Sequence, residues 1–205
     1  MLLYVHIPFC ESKCPYCAFG SVVGKRNLTS AYFDAMIADF MEQILKFDIK
    51  NGEIETVFVG GGTPSAVDGG YYERLFETVA PYLAKDAEIT TEANPNSASQ
   101  RWLSQMKSYG INRVSFGAQS FFEDKLKFLG RIHDARQIYE AVANAKTAGL
   151  KNINVDLIYG TKLDTKKRLE QEAQNIRNLG VLHVSAYSLT LEENTPFAGK
   201  INYAK

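Results

Sequence analysis

The stretch NINVDLIYGTKLDTKKRLEQEAQNIRNLGVLHVSAY, residues 152–187, contains the pattern that decides the fold. It begins with a β-branched apolar run, residues 152–158, and ends with another, residues 182–187, and each run is typical of a strand. The amphipathic segment between them, residues 166–179, predicts a helix that stops at Gly180. A strand, a helix and a strand in this order predict two parallel strands joined by a helical crossover.

The same alternation extends through the rest of the chain. Further strands are predicted at residues 2–7, 56–59, 88–91 and 113–116, and further helices at 29–47, 71–83, 99–109 and 135–148. This order permits either an open doubly wound sheet or a barrel. Units of similar length, without a dinucleotide-binding fingerprint, favour the barrel. We therefore predict an α/β fold, a partial TIM-type (βα)6 barrel with parallel strands, as one domain over residues 1–205.

Length and composition exclude several classes of protein. The chain has 205 residues, of which 45% are apolar and 22% charged, so neither a disordered nor a fibrous protein fits. Lys and Arg number 23 and so do Asp and Glu, which leaves no electrostatic footprint for nucleic acid. No window approaches the roughly 18 apolar residues of a membrane span, and no basic segment precedes the first apolar run. We expect a cytoplasmic protein without a nucleic-acid partner or a transmembrane segment.

The cysteines are the most informative feature of the sequence. All three, Cys10, Cys14 and Cys17, occur within eight residues directly after the first predicted strand. An odd number so closely spaced does not fit a disulfide framework. In a barrel of this kind the site lies at the carboxyl ends of the strands, where this loop begins. Because thiolates prefer zinc, copper(I) or iron–sulfur clusters, the loop is a candidate metal centre.

Three interpretations of the loop remain open from the residues alone. A 4Fe-4S cluster held by three thiolates would leave one iron free to bind a further ligand. Zinc would require a fourth donor, such as His6 or His133, and the paired spacing of zinc knuckles is missing. The last alternative is three reduced structural thiols.

Polar residues at the ends of the predicted strands are further candidates. Glu92, Gln119 and Asp156 lie at or just past carboxyl ends, and Arg131 lies one loop further on. Asp156 interrupts an apolar run, and a buried carboxylate is costly unless it is paired or hydrogen-bonded. The alternative to a functional role for Asp156 is a structural ion pair with Arg131 or Arg113.

The sequence Gly60-Gly-Gly-Thr-Pro-Ser65 follows the second predicted strand. Glycines at such a position allow positive φ or a close approach of the backbone to a ligand. The alternative is a tight turn between strand and helix. The segment is not a Walker A loop, because no Gly-Lys-Ser/Thr follows.

The loop Cys10-Glu-Ser-Lys-Cys14-Pro-Tyr-Cys17 resembles the signature of the radical S-adenosylmethionine (SAM) superfamily. A wider set of motifs is similar to the oxygen-independent coproporphyrinogen III oxidase family, and most similar to its heme chaperone branch. These motifs are Tyr4-Val-His-Ile-Pro-Phe-Cys10, Gly60-Gly-Gly-Thr-Pro-Ser65, Glu92-Ala-Asn-Pro95, Ser115-Phe-Gly-Ala-Gln-Ser120, Leu129-Gly-Arg131 and Asn154-Val-Asp-Leu-Ile-Tyr-Gly160. The resemblance extends from Tyr4 to about Phe197.

The resemblance implies a 4Fe-4S cluster on Cys10, Cys14 and Cys17, with SAM beside it, a heme or porphyrin ligand, and an electron donor. The residues implied to contact SAM or substrate are Tyr4, Tyr16, Gly61, Gly62, Thr63, Glu92, Gln119, Arg131 and Asp156. For Tyr4 and Tyr16 the alternative role is core packing.

Two departures from the family pattern favour a heme chaperone. The decarboxylase branch has a fourth cysteine two residues after the third, whereas here Cys17 is followed by Ala18 and Phe19. Decarboxylases also have an N-terminal extension, and this chain starts three residues before Tyr4. Radical decarboxylation of coproporphyrinogen III is the first alternative and a zinc-binding structural module the second, so the sequence leaves open whether the protein is an enzyme. We also expect that the C-terminal domain of the family is missing from this chain.

Overall fold

The structure is a computed structural model, and it describes residues 1–199. The strands are β1 (Leu2–Ile7), β2 (Phe9–Cys10), β3 (Val22–Val23), β4 (Ile54–Gly61), β5 (Leu83–Ala93), β6 (Arg113–Gln119), β7 (Asn152–Tyr159) and β8 (His183–Ser188). The α-helices are α1 (Thr29–Lys46), α2 (Gly70–Val79), α3 (Gln100–Ser108), α4 (Glu123–Phe128), α5 (Ala135–Thr147) and α6 (Lys166–Leu179). In this part of the chain, no helix is both long and apolar enough to cross a bilayer.

Six strands form one sheet in the order β1-β4-β5-β6-β7-β8. Every neighbouring pair is parallel, so each connection between consecutive strands crosses from one end of the sheet to the other. The crossovers contain the helices α1 to α6. This arrangement confirms the predicted α/β fold, a partial barrel of parallel strands.

Period-two alternation gives the sheet two different faces. Buried apolar side chains such as Val5, Val57 and Val155 belong to one continuous core with residues of the helices. The alternate positions on the same strands are mostly polar, among them Glu92 and Asp156. These alternate positions form the concave face of the sheet. At the carboxyl ends of the strands, the side chains of this face point towards the candidate site.

The structure adds elements that the sequence pattern did not predict. Helix α4 is only six residues long, and its buried residues include Lys125. β2 and β3 form a separate two-stranded parallel ladder around the cysteine loop. The helix predicted at residues 71–83 ends at Val79, followed by a 3-10 turn that contains Pro81. The helix stops before Pro81 because proline has no N–H with which to continue it. Leu83 is already the first residue of β5.

Candidate functional site

A cavity of about 470 Å³ lies at the carboxyl ends of the strands. Eleven of the twelve predicted site residues line it: Cys10, Cys14, Tyr16, Cys17, Gly61, Gly62, Thr63, Glu92, Gln119, Arg131 and Asp156. The twelfth, Tyr4, is on the concave face of the sheet outside the cavity, with its ring stacked on Phe58. The fold therefore brings together residues that are as far as 146 positions apart in the sequence, from Cys10 to Asp156.

The cysteine loop is held in place from both of its ends. Cys10 belongs to β2, which pairs with β3, and the Val22 N–H donates to the Pro8 carbonyl at 2.8 Å. The Cys17 N–H donates to the Cys14 carbonyl at 3.1 Å, which closes a tight turn between the last two cysteines. All three thiols are free and half-buried.

Two of the sulfur atoms accept hydrogen bonds from outside the loop. Thr63 Oγ1 donates to Cys10 Sγ and Arg131 Nη1 donates to Cys14 Sγ, each at 3.4 Å. Hydrogen bonds to sulfur are one means by which a protein tunes the reduction potential of an iron–sulfur cluster. The third thiol, Cys17, has a pKa that is raised because the group is buried.

The donor set fits a polynuclear cluster better than a single ion. Within residues 1–199, no three His, Cys, Asp or Glu side chains converge closely enough to bind one metal ion. A 4Fe-4S cluster takes one thiolate on each of three irons, so its ligands stand apart around it. Three thiols on a cavity wall, with protein donors to their sulfurs, suit such a group.

His6 and His133, the two candidates for the fourth ligand of a zinc site, each place Nε2 against a backbone carbonyl. His6 Nε2 lies 2.8 Å from the Gly20 carbonyl, and His133 Nε2 lies 3.0 Å from the Ala118 carbonyl. Burial and the nearby charge of Arg131 lower the pKa of His133 to about 4, which makes this histidine neutral at pH 7. Neither histidine lines the cavity with the cysteines, and within residues 1–199 neither joins them in a group that could hold one metal ion.

The glycine segment approaches the end of β1 and Pro8 more closely than any side chain would allow. The Gly62 N–H donates to the Ile7 carbonyl at 2.7 Å, and a Cβ on Gly62 would lie 2.8 Å from that same oxygen. Gly61 has φ +110°, and a Cβ there would lie 2.5 Å from the His6 ring. These two positions require glycine, which accounts for the sequence at the end of β4.

Glu92 is the carboxylate nearest this segment. Its Oε2 accepts a hydrogen bond from the Gly61 N–H at 3.2 Å. Burial raises the pKa of Glu92 to about 6, against the opposing effect of this hydrogen bond. The side chain is therefore a partly desolvated carboxylate that faces the cavity, well suited to a hydroxyl or cationic group of a ligand.

Asp156 is hydrogen-bonded rather than ion-paired. Ser115 Oγ donates to one of its oxygens at 3.1 Å and Asn154 Nδ2 donates to the other at 2.7 Å. Burial raises its pKa, whereas these hydrogen bonds act to lower it. Within the described residues neither Arg131 nor Arg113 lies within ion-pair distance of it, although the charge of Arg113 also acts to lower its pKa.

Arg131 connects the cysteine loop to β5 and β6. Its Nη2 donates to Asn94 Oδ1 at 2.5 Å and to the Gly117 carbonyl at 2.9 Å, while Nη1 donates to Cys14. The Gly117 carbonyl lies in an irregular part of β6, where the pairing register shifts before Gln119.

Gln119 itself has φ +65°, a left-handed conformation that is uncommon for a residue other than glycine. The turn after it is fixed by Glu172 of α6, which accepts from Ser120 Oγ at 2.5 Å and from the Phe121 N–H at 2.9 Å. Such strained residues persist where the surrounding structure over-determines them.

Tyr16 lies half-buried against Arg131 and Cys14. Burial raises its pKa, and the positive charge of Arg131 opposes this effect. Its ring also packs near Phe197, at 6.4 Å between centroids. Tyr16 therefore closes one wall of the cavity, on the side of the last described residues.

Asn94 is a cavity residue that the sequence analysis did not single out. It accepts from Arg131 and donates to Thr63 Oγ1 at 3.4 Å, which connects two predicted site residues. The period-two alternation of the strand could have predicted it, because Asn94 is two positions after Glu92 and so falls on the same face. His6, named in the sequence analysis only as a candidate zinc donor, lies against the glycine segment.

Comparison with known proteins agrees with this geometry. The sequence profile of the Radical SAM superfamily matches residues 4–184. The heme chaperone HemW of Lactococcus lactis is 36% identical over 199 residues, which are 96% of this chain and 51% of that protein. HemW of Escherichia coli is 36% identical over 200 residues, 97% of this chain and 53% of that protein.

Among solved structures, coproporphyrinogen III oxidase (HemN) from Escherichia coli superimposes with a TM-score of 0.87 at 27% identity. The match covers 99% of this chain and 48% of that one. The chain thus spans about half the length of the curated relatives it matches. With its profile match over most of the described residues and its cysteine loop at the cavity, this chain belongs to the radical SAM superfamily.

Proposed function

We propose that this chain binds a 4Fe-4S cluster through Cys10, Cys14 and Cys17, binds SAM in the adjoining cavity, and serves to bind and deliver heme. The observation that best supports the cofactor assignment is that three free thiols line the same cavity as the polar side chains of Glu92, Arg131 and Asp156. Similarity to heme chaperones over 96–97% of this chain supports the heme assignment.

Each group of residues would have a distinct task in cofactor binding. The backbone of Gly61 and Gly62 leaves room for the amino-acid end of SAM, and Glu92 and Asp156 offer carboxylates to its ammonium and ribose hydroxyl groups. Arg131 keeps Cys14 oriented towards the cavity through its hydrogen bond to the sulfur. When bound, the reduced cluster supplies one electron to the SAM sulfonium.

A second candidate is radical decarboxylation of the propionates of coproporphyrinogen III. The superposition on coproporphyrinogen III oxidase with a TM-score of 0.87 favours it. Against it stand Ala18 and Phe19, which follow Cys17 without a fourth cysteine.

We propose a cytoplasmic location for the protein, because exposed iron and thiolates require reducing surroundings.

The cofactor assignment is tested by anaerobic reconstitution with iron and sulfide, reduction with dithionite, and EPR spectroscopy with and without SAM. We expect a 4Fe-4S signal that shifts when SAM is added. Cys14→Ser should abolish the SAM-dependent shift, whereas Ser108→Ala at the end of α3 should leave it unchanged. Zinc in place of iron and acid-labile sulfide, or a cluster indifferent to SAM, would overturn the assignment.

The heme assignment has its own test. We expect that heme titrated into the reconstituted chain gives a saturable Soret absorbance change, and that the chain passes heme on to an apo-heme protein. Incubation with coproporphyrinogen III, SAM and a reductant should release no carbon dioxide. If carbon dioxide were released, heme delivery would be rejected as the proposed function in favour of the decarboxylation of coproporphyrinogen III.

A further inference from the structure

A second row of side chains lies on the concave face of the sheet, beneath the cavity. It consists of Tyr4, Phe58, Thr90 and Arg113, which are in register across β1, β4, β5 and β6. We call these four residues the lower row. Arg113 is two positions before Ser115, a residue of the cavity wall, so the lower row lies about 7 Å further down the strands. None of its members lines the cavity described above.

One end of the lower row is cationic. Arg113 Nη1 donates to Thr90 Oγ1 at 3.3 Å, and Nη2 lies 2.8 Å from Nδ1 of His183 in β8. Because a guanidinium can only donate, Nδ1 of His183 must accept, and the proton of the neutral ring is then on Nε2. His183 is exposed, so its Nε2–H is open to a ligand.

No carboxylate in the described part of the chain forms an ion pair with Arg113, although the charge of Arg113 acts on Asp156 from further away. No Asp or Glu oxygen of residues 1–199 lies within 4.0 Å of its nitrogens, and its two hydrogen bonds go to a hydroxyl group and an imidazole. The fully buried Lys125, by contrast, contacts two carboxylates. A guanidinium has five N–H groups, so three of them are available to a ligand.

The other end of the lower row is aromatic. The rings of Tyr4 and Phe58 are stacked, with centroids 6.1 Å apart and planes at 15°. Tyr4 is 50% exposed although it lies in the interior of the partial barrel. A flat apolar surface is therefore accessible on the same face of the sheet as Arg113. Three strand spacings separate β1 from β6, or about 14 Å along the sheet.

We propose that the lower row binds a planar ligand that has a carboxylate group. Arg113 takes the carboxylate as a bidentate partner, His183 Nε2 adds a donor, and Tyr4 and Phe58 contact the flat body. In a tetrapyrrole the carboxylate is a propionate, and this choice of ligand rests on the proposed function. A ligand seated there lies directly below the SAM cavity, separated from it by one layer of side chains.

The test compares protoporphyrin IX, which has two propionates, with its dimethyl ester, which has no carboxylate. Both are titrated by fluorescence into the full reconstituted chain. We expect the diacid to bind about tenfold more tightly than the ester. Arg113→Gln should remove this preference, Arg113→Lys should keep part of it, and the exposed Arg101→Gln should leave it unchanged. His183→Gln should reduce the preference without changing the ester affinity.

The aromatic end is tested separately with Tyr4→Ser, which should weaken the acid and the ester by the same factor. Equal affinity of the unmodified chain for both ligands, binding of neither, or a preference that survives Arg113→Gln would overturn the proposal. The SAM-dependent EPR shift is recorded on each variant. Retention of that shift in Arg113→Gln shows an intact cofactor site. If the unmodified chain showed no SAM-dependent EPR shift but still preferred the diacid, the cofactor assignment would be overturned and the proposal for the lower row would still hold.

Discussion

Arg131 Nη1 lies 3.4 Å from Cys14 Sγ, and the two residues are 117 positions apart in the chain. The same guanidinium reaches Asn94 at the end of β5 and the Gly117 carbonyl in β6. One side chain therefore fixes the orientation of a cluster-loop sulfur relative to two strands. Because the side chain is half-buried, each of these contacts would be costly to lose without replacement.

Arg131→Gln should lower both stability and the reduction potential of a bound cluster. The amide cannot reach all three acceptors, and the loss of charged hydrogen bonds should reduce the free energy of unfolding by about 1–3 kcal/mol. Removal of a positive charge and an N–H donor from Cys14 Sγ disfavours the reduced, more negative cluster. Urea unfolding and EPR-monitored redox titration measure the two effects. Arg101→Gln is the control, and an unchanged potential in Arg131→Gln would contradict the expectation.

Glu92→Gln should make the unliganded chain more stable at neutral pH. The folded chain has a Glu92 pKa of about 6, above the ordinary value of 4.5, so the fold favours the protonated form. Stability is therefore lost as pH rises from 4.5 to 6, and the loss is complete above pH 6, where it amounts to about 2 kcal/mol. The amide still accepts from the Gly61 N–H but does not ionise.

Urea unfolding at pH 4.5, 6 and 7.5 checks this prediction. The stability difference between Glu92→Gln and the unmodified chain should grow between pH 4.5 and 6 and then level off. Glu42→Gln, on the exposed face of α1, provides the reference for the loss of a carboxylate. A difference that is the same at all three pH values would show that Glu92 is not the titrating group.

Gly61→Ala should be rescued in part by a second substitution, His6→Ala. A Cβ at Gly61 would lie 2.5 Å from the His6 ring, and φ +110° adds backbone strain. Gly149→Ala provides the control, because Gly149 has φ +84° with nothing within 4 Å of the added Cβ. The backbone cost there is about 1–2 kcal/mol.

We expect Gly61→Ala to cost several kcal/mol more than Gly149→Ala, and the double variant to cost less than the sum of its single substitutions. Chemical denaturation of the two single variants and the double variant gives the coupling energy. Strict additivity would mean that the glycine segment can move away from the ring, and that close packing is not what requires glycine.

The sequence predicted those parts of the molecule that depend on local periodicity. Alternation placed the six strands, and position at the strand ends placed Glu92 and Asp156 at the cavity. Helix α4 escaped prediction because six residues, EDKLKF, give no apolar stripe, and the residue it buries most unexpectedly is a lysine. The buried ammonium of Lys125 is stabilised by Asp164, which is 39 positions away. A local sequence pattern cannot predict a contact between residues so far apart.

Lys125→Met should be among the most damaging substitutions outside the cavity. Lys125 Nζ contacts Asp164 at 2.6 Å and Glu172 at 3.7 Å, and all three side chains are buried. Burial would raise the pKa of Asp164, but hydrogen bonds from Lys125 and Thr161 outweigh it and lower that pKa. Without the ammonium, two buried carboxylates lose their counter-ion, which should cost about 3–5 kcal/mol.

The effect should reach the site as well, because Glu172 also fixes the turn after Gln119. Lys125→Met combined with Asp164→Asn should recover part of the lost stability, since one of the two stranded charges is removed. Arg136→Gln breaks the exposed ion pair with Glu140 and should cost less than about 0.5 kcal/mol. The measurement is unfolding in guanidinium chloride. If Lys125→Met lowered the free energy of unfolding no more than Arg136→Gln, the buried ion cluster would not be what holds α4 and the Gln119 turn in place.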